Sequence, residues 1–361
     1  MSDAPEDDFR LVAAKLAAYA HLLPRVSPRL QAKMDSANPG PVLPPPEAAV
    51  APALPGPDWP APDEDAARDR ALGCLLGLAV GDAVGTTLEF TARDSQPPLT
   101  DMVGGGPFAL APGEWTDDTT MALCLAESLL AEGELDQEDL MARFRRWLER
   151  GENTVKGHCF DIGITTRAAI ERYIAGSDPA AGSYAPEAAG NGSLVRLAPL
   201  AIFRRGDRRL AEQEAVKQSR TTHAAPEVLD ACKLFTSMLI DALTGADRYG
   251  ATRQRVMALS PKVLFISAGE YKAKPRAAIR ATGYVVHTLE AALWAVWETE
   301  NFRDAVLLAA NLGEDADSVA AVAGQLAGAL YGASGIPATW RAKLAQGERI
   351  AALAEALFEK G

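Results

Sequence analysis

Apolar side chains recur every three or four positions along nearly all of the chain after Ala66, the period of a helix face rather than of a strand. The pattern predicts helices over residues 66–84, 121–131, 137–150, 164–175, 194–203, 207–218, 227–244, 253–259, 276–298, 302–311, 319–331 and 338–360. Period-two alternation of β-branched and aromatic residues is nearly absent, and aromatics make up only 6% of the chain. The expected fold is all-α, a compact multi-helix globular domain with a central helical core.

Two of these helices carry glycine at every fourth position: Gly73, Gly77, Gly81 and Gly85 in the first, Gly324, Gly328 and Gly332 in the second. Glycine inside a helix costs up to about 1 kcal/mol relative to alanine, so its repetition needs a reason. A four-residue interval places the glycines on one stripe, where a second backbone can approach closely. These two helices are expected to form the centre of the core.

The pattern changes upstream of Asp63. Residues 8–23 place Phe9, Val12, Leu16, Tyr19 and Leu23 on one helical face. Residues 39–62 are crowded with proline, which forbids helix or central strand and favours an extended chain. The sequence therefore divides into an N-terminal extension, 1–62, and a helical domain, 63–361. Two readings of the extension stand side by side. Either it packs back on its own domain, or it is an arm that docks on a partner protein as a helix in a groove.

Composition narrows the classes. With 361 residues, 48% hydrophobic, the chain holds one sizeable core. A net charge of −12 argues against nucleic acid as a main partner. Neither a signal-peptide pattern nor an apolar run of bilayer-spanning length is apparent, so no membrane partner is expected. Cys74, Cys124, Cys159 and Cys232 are scattered without Cys-x-x-Cys spacing and read as reduced thiols of a cytoplasmic protein.

The chemistry concentrates in two short acidic segments, Glu114-Trp115-Thr116-Asp117-Asp118-Thr119-Thr120 and Asn311-Leu312-Gly313-Glu314-Asp315-Ala316-Asp317-Ser318. Each runs straight into an apolar, alanine-containing helix. Capping explains one Thr or Asp at each helix start. Paired carboxylates flanked by hydroxyls exceed that need, and they suit a hard divalent cation. The second segment also has the Asp-x-Asp-x-Val form of an aspartate-based phosphatase. That chemistry requires a strand delivering the first Asp, and the preceding residues read as a helix. No His-Glu-x-x-His, P-loop or Gly-x-Ser-x-Gly elbow is present. Of four histidines, His158 and His223 lie in polar loops where a ligand can be touched; His21 lies in the extension and His287 in an apolar helix.

From Ala66 onward these motifs occur in an order that resembles the ADP-ribosylglycohydrolases, in particular the dinitrogenase reductase-activating glycohydrolase branch. The resemblance rests on Gly73–Gly85 closing with Glu89-Phe90, on Gly104-Gly105-Gly106-Pro107-Phe108 leading into Trp115-Thr116-Asp117-Asp118-Thr119, on Phe160-Asp161-Ile162-Gly163, on Gly190-Asn191-Gly192-Ser193-Leu194 and on Asn311–Ser318. It covers the domain and not the extension. Glu314 stands where the family usually has glycine, and Ser318 where threonine is common.

The resemblance implies a metal-dependent hydrolase that removes ADP-ribose from protein side chains, arginine first, by cleaving the N-glycosidic bond at C1″. It implies that Thr116, Asp117, Asp118, Asp315, Asp317 and Ser318 hold two Mg²⁺ or Mn²⁺ ions against the distal ribose. Glu89 is then expected beside the ribose or the attacking water, Asp117 and Asp161 in catalytic positions, and Asp161 as proton donor to the leaving group or, alternatively, as a helix cap. Asn191, Gly192 and Ser193 would offer backbone N–H groups to the diphosphate, with Gly105, His223 and Tyr284 lining the remainder. A different class of function is compatible with the extension: an immunity protein that neutralises an ADP-ribosyltransferase through residues 1–62.

Overall fold

The structure, a computed structural model, describes residues 59–361. The helix expected upstream and all of the extension but residues 59–62 lie outside those residues. The helices are α1 Glu64–Gly85, α2 Asp117–Glu132, α3 Gln137–Arg150, α4 Ile164–Gly176, α5 Ala198–Phe203, α6 Arg208–Arg220, α7 Pro226–Leu243, α8 Arg248–Ala251, α9 Pro261–Ser267, α10 Val285–Trp297, α11 Phe302–Ala310, α12 Ala316–Tyr331, α13 Ala338–Lys343 and α14 Gly347–Lys360. Among the described residues there are isolated bridges but no strand.

The centre is an antiparallel pair, α1 and α12. A Cβ added at Gly73 would lie 2.3 Å from the carbonyl oxygen of Gly328, at Gly77 2.2 Å from that of Gly324, at Gly81 2.1 Å from Ala320 and at Gly85 2.4 Å from Ala316. No side chain fits at such distances, so the glycine stripe is what lets the two backbones touch. Gly332 has a different role. It lies at the C-cap of α12 with φ +73, where its N–H bonds the Gly328 carbonyl at 2.8 Å.

Glu64–Leu88 is long and apolar enough to cross a bilayer, contrary to the expectation from the sequence, yet 89% of its apolar window is buried inside the fold. The antiparallel register carries the C-terminal end of α1 to the N-terminal end of α12. Glu89 and the second acidic turn therefore meet at one end of the core.

Local signals explain most of the other boundaries. Asp136 caps α3 by accepting from the N–H groups of Glu138 and Asp139, Gly151 ends it with φ +68, and Leu140, Met141, Phe144 and Trp147 form its buried stripe. Four expected helices are redrawn. Residues 253–259 are not helical; Arg255 instead sends its guanidinium to the buried Asp241. The expected helix 276–298 begins only at Val285, after a 3₁₀ turn at Arg276–Ala278 and a non-helical stretch that brings Gly283 to the cavity. The last helix splits at Gln346, which takes φ +53. The Asn191–Leu197 stretch is a chain of turns, and its helix starts at Ala198. All four cysteines are free thiols, three of them buried.

Candidate active site

The end of α1 and the starts of α2 and α12 converge on a cavity of about 250 Å³. Glu89, Asp117, Asp118, Asp161, Asp315, Asp317 and Ser318 line it, together with Phe90, the Gly163–Thr166 segment, Gly190–Gly192, His223 and Gly283. Two helix N-termini thus point their positive ends at one group of carboxylates.

The first acidic turn is held by a residue that the motif reading did not place in the site. Asp82, fully buried on α1, accepts from the Thr116 N–H and hydroxyl, both at 2.9 Å, through Oδ1. Through Oδ2 it accepts from the Thr119 N–H at 3.0 Å and the Thr119 hydroxyl at 2.6 Å. The carboxylate caps α2 from a neighbouring helix, and Thr116, the N-cap residue, makes no capping bond of its own. Thr116 lies behind the cavity lining, with its hydroxyl 3.3 Å from Asp317 Oδ2. That contact joins the two acidic turns directly.

Loops grip the second turn. Asn191 Nδ2 donates to Asp315 Oδ2 at 2.6 Å and to the Thr288 hydroxyl at 2.9 Å. The Asp315 N–H bonds the Ala281 carbonyl at 2.9 Å. Glu314 takes φ +59, the left-handed region where a side chain is disfavoured, and is tied to the Glu89–Thr91 segment by two backbone bonds, Phe90 N–H to Glu314 O at 2.7 Å and Glu314 N–H to Thr91 O at 2.8 Å. This conformation gives a physical reason for the glycine that relatives are expected to carry at this position. Asp315 makes no capping bond to α12.

Asp161 lies in the loop before α4, with φ +46. It does not cap that helix; Gly163 is the N-cap residue and makes no side-chain bond. Glu89, Asp161 and Asp317 each bring an oxygen within 4.8 Å of the others'. Buried oxygens of Glu89 (Oε2), Asp118 (Oδ2), Asp161 (Oδ2) and Asp317 (Oδ1) have no hydrogen-bond partner. Burial, then mutual repulsion, pushes the carboxyls of Glu89, Asp117, Asp118 and Asp317 far up, and Asp161 up to about 7. Orphaned, mutually repelling carboxylate oxygens are what a divalent cation satisfies, so the residues present fit a metal centre.

The other expected contacts divide. Asn191, Gly192 and His223 line the cavity, and burial together with the Arg196 charge lowers His223 to about 3, leaving the ring neutral. Gly105, Ser193 and Tyr284 are not among the lining residues. Gly105 pairs with Leu110 in a tight turn. Ser193 is buried, with its hydroxyl 2.7 Å from that of Ser219. Tyr284 directs its hydroxyl to Glu227 and Lys262. The Asn191 N–H, expected to face a diphosphate, is taken by the Gly283 carbonyl at 3.1 Å, and the turn is not a helix start. Phe90, Thr166 and Gly283 were not singled out as site residues by the sequence, although Phe90, beside Glu89, and Thr166, just after Phe160–Gly163, stand in the motifs that carry the resemblance.

Known proteins bear on this geometry. A protein named ADP-ribosylarginine hydrolase Tri1 from Pseudomonas putida is 51% identical over 351 residues, covering 95% of this chain and 91% of that protein. Its alignment takes in more of the chain than residues 59–361 contain, so the likeness reaches into the N-terminal segment. A protein of the same name from Serratia proteamaculans is 54% identical over 295 residues, covering 82% of this chain and 80% of that one. A solved structure described as an ADP-ribosylglycohydrolase-related protein complex superposes with a TM-score of 0.74 at 42% identity, covering 82% of this chain and 99% of that chain. The family model for ADP-ribosylglycohydrolases matches residues 63–361, and the chain belongs to the ADP-ribosylglycohydrolase family.

Proposed function

We propose that this protein removes ADP-ribose from arginine side chains of ADP-ribosylated proteins by hydrolysing the N-glycosidic bond at C1″. The observation that carries the reading is the convergence of the two acidic turns on one cavity, with orphaned carboxylate oxygens between them. The names of the Pseudomonas and Serratia relatives support arginine as the acceptor.

Thr116, Asp117, Asp118, Asp315, Asp317 and Ser318 would hold two divalent cations, Mg²⁺ or Mn²⁺. Such ions would neutralise the clustered carboxylates, orient ribose hydroxyls and make a bound water more acidic. The chain's own residues supply the rest. In the ion-free protein the Asp161 carboxyl is raised to about 7 by burial and the charges of Asp82 and Asp315, and it lines the cavity with one unpartnered oxygen. In this reading it protonates the departing guanidine nitrogen as the C1″–N bond breaks, while water oxygen adds to C1″ and its released proton returns to the Asp161 carboxylate. Glu89, with an oxygen within 4.8 Å of one on Asp161, would contact the ribose or that water. Asn191 fixes the orientation of Asp315.

The alternative role, neutralising an ADP-ribosyltransferase through residues 1–62, draws no support from the relatives' names, and most of that segment lies outside the described residues. The function is tested by incubating the protein and Mg²⁺ or Mn²⁺ with peptides carrying ADP-ribose on arginine or on serine and measuring free ADP-ribose. Release from the arginine peptide alone is expected. Release from serine with arginine untouched refutes the proposed acceptor.

A further inference from the structure

Arg196 is fully buried, and its hydrogen-bond partners among the described residues include no carboxylate. A buried cation without a counter-ion is unfavourable unless every donor is met. Nε reaches Gln218 Oε1 at 2.9 Å and Nη1 reaches Met121 Sδ at 3.4 Å, while the Phe144 ring covers the guanidinium at 4.7 Å. Nη2 meets the Gln218 carbonyl at 3.1 Å and the hydroxyls of Thr221 and Thr222 at 3.1 and 3.0 Å.

These contacts fix the direction of the bonds beyond them. A guanidinium has donors only, so both hydroxyls accept from it and each must place its single proton elsewhere. Thr221 gives its proton to the Gln218 carbonyl at 2.6 Å. Thr222 lies 2.8 Å from His223 Nδ1 and is itself fully buried. If Nδ1 carried the proton, the Thr222 hydroxyl would accept twice and leave its own hydrogen unpaired in the core, which is costly. The satisfied pattern has Thr222 donating to Nδ1. The imidazole proton then sits on Nε2, the ring nitrogen beside the Gly190–Gly192 turn. A Cβ added at Gly190 would be 3.3 Å from Nε2, and one at Gly192 would be 3.0 Å from Cε1 and 3.5 Å from Nε2. The Gly-Asn-Gly turn thus lies against this edge of the ring, and both it and His223 line the cavity.

We propose that Arg196, acting through Thr222, locks His223 as the neutral Nε2–H tautomer, so that the cavity presents a fixed hydrogen-bond donor beside the Gly190–Gly192 turn to a phosphoryl or ribosyl oxygen of the substrate. Arg196 and Thr222 are positioning residues; His223 makes the contact. The ring cannot serve as an acceptor toward the cavity while the lock holds, so it reads oxygen acceptors in the ligand and rejects donors. The choice of ligand oxygen rests on the ADP-ribose reading above; the tautomer does not.

The test uses the full chain labelled with ¹⁵N-histidine, with His223→Gln assigning the His223 ring signals. The wild-type ring is expected to show an unprotonated Nδ1 and a protonated Nε2. Thr222→Val is expected to shift the ring toward the other tautomer and to weaken ADP-ribose binding, measured by calorimetry with Mg²⁺ present, by roughly tenfold; Thr222→Ser restores both. A wild-type Nδ1–H ring, or a Thr222→Val protein that keeps either the wild-type tautomer or the wild-type ADP-ribose affinity, overturns the proposal. A wild-type protein that shows the expected tautomer and binds no ADP-ribose instead refutes the ADP-ribose reading, and with it the assignment of the ligand oxygen.

Discussion

The two acidic turns are alike in design, clustered carboxylates and a hydroxyl at a helix start, and are held in different ways. The first is fastened to the core: Asp82 on the central helix accepts four bonds from Thr116 and Thr119, and the fully buried Trp115 donates its indole N–H to the Ala345 carbonyl at 3.0 Å. The second is fastened to loops. Asn191, Ala281 and the Glu89–Thr91 segment grip it, and Glu314 sits in a left-handed conformation. Both turns open onto core helices, and on these bonds we expect the first to be the more fixed wall and the second to follow the loops that bear ligand-facing groups. The shared carboxylates suit a common cation centre; the difference in support leads us to expect substrate tuning at the second turn rather than the first.

Breaking the second turn at its carboxylate has the largest expected effect. Asp317→Ala removes an oxygen at the junction of the two turns, and hydrolysis is expected to fall by more than ~100-fold, beyond what supporting residues usually contribute, with the helical circular dichroism retained. Wild-type turnover in that variant would remove Asp317 from the centre.

Breaking the support of the first turn comes next. Asp82→Asn presents an amide donor to groups that are themselves donors. Divalent-ion affinity in calorimetry is expected to fall about 10- to 100-fold, and each buried donor left unpaired is expected to cost ~1–3 kcal/mol in chemical denaturation. Lost stability with unchanged ion affinity would make Asp82 a support of the fold alone.

The carboxylates of both turns act together in the pH dependence of the ion-free protein. Asp161 and Asp315 rise from 3.8 to about 7 and about 6, and Glu89 rises further, so the folded state holds protons that the unfolded state has released. Stability is therefore fully present below about pH 4, where both states are protonated, and is lost as pH rises through 6 and 7. Melting temperature without divalent ions is expected to fall between pH 5 and pH 8, and excess Mg²⁺ or Mn²⁺ to flatten the fall. A melting temperature that climbs over this range would contradict the clustering.

The smallest change sharpens the contrast between a tuned and a fixed turn. Glu314→Gly relieves a left-handed conformation worth about 1–2 kcal/mol, less what the freed glycine gains in the unfolded chain. A stability gain of about 0.5 kcal/mol is expected by denaturant titration. A net loss would show that the Glu314 side chain holds the loop.

Much of this was legible in the sequence because its causes are local or periodic. The stripe of Gly73, Gly77, Gly81 and Gly85 announced a close helix pair, and Asp136 with Gly151 bounded α3 to the residue. The carboxylates of the centre were named because their motifs are contiguous. What escaped depends on long-range pairing. Asp82 sits 34 residues from Thr116, and nothing near it says which helix it will cap. The Arg196–Thr222–His223 chain joins two separate loops. Gly105 and Ser193 drew attention as members of the glycine-containing motifs and Tyr284 through the resemblance alone, whereas the direction of a side chain off a turn is settled by packing. Residues 253–259 and 276–284 looked helical by period but run as coil and a short 3₁₀ turn, the first around Arg255 bound to Asp241 and the second leading Gly283 to Asp315.

The central claim is that the two turns build a single divalent-cation centre. A crystal of the full chain grown with Mn²⁺ and measured at a wavelength where manganese scatters anomalously tests it most directly. The account expects anomalous peaks in the cavity between Asp117–Asp118 and Asp315–Asp317, each within bonding distance of both turns or bridging to an ion that is. Density confined to one turn, or Mn²⁺ only on surface carboxylates, would contradict it.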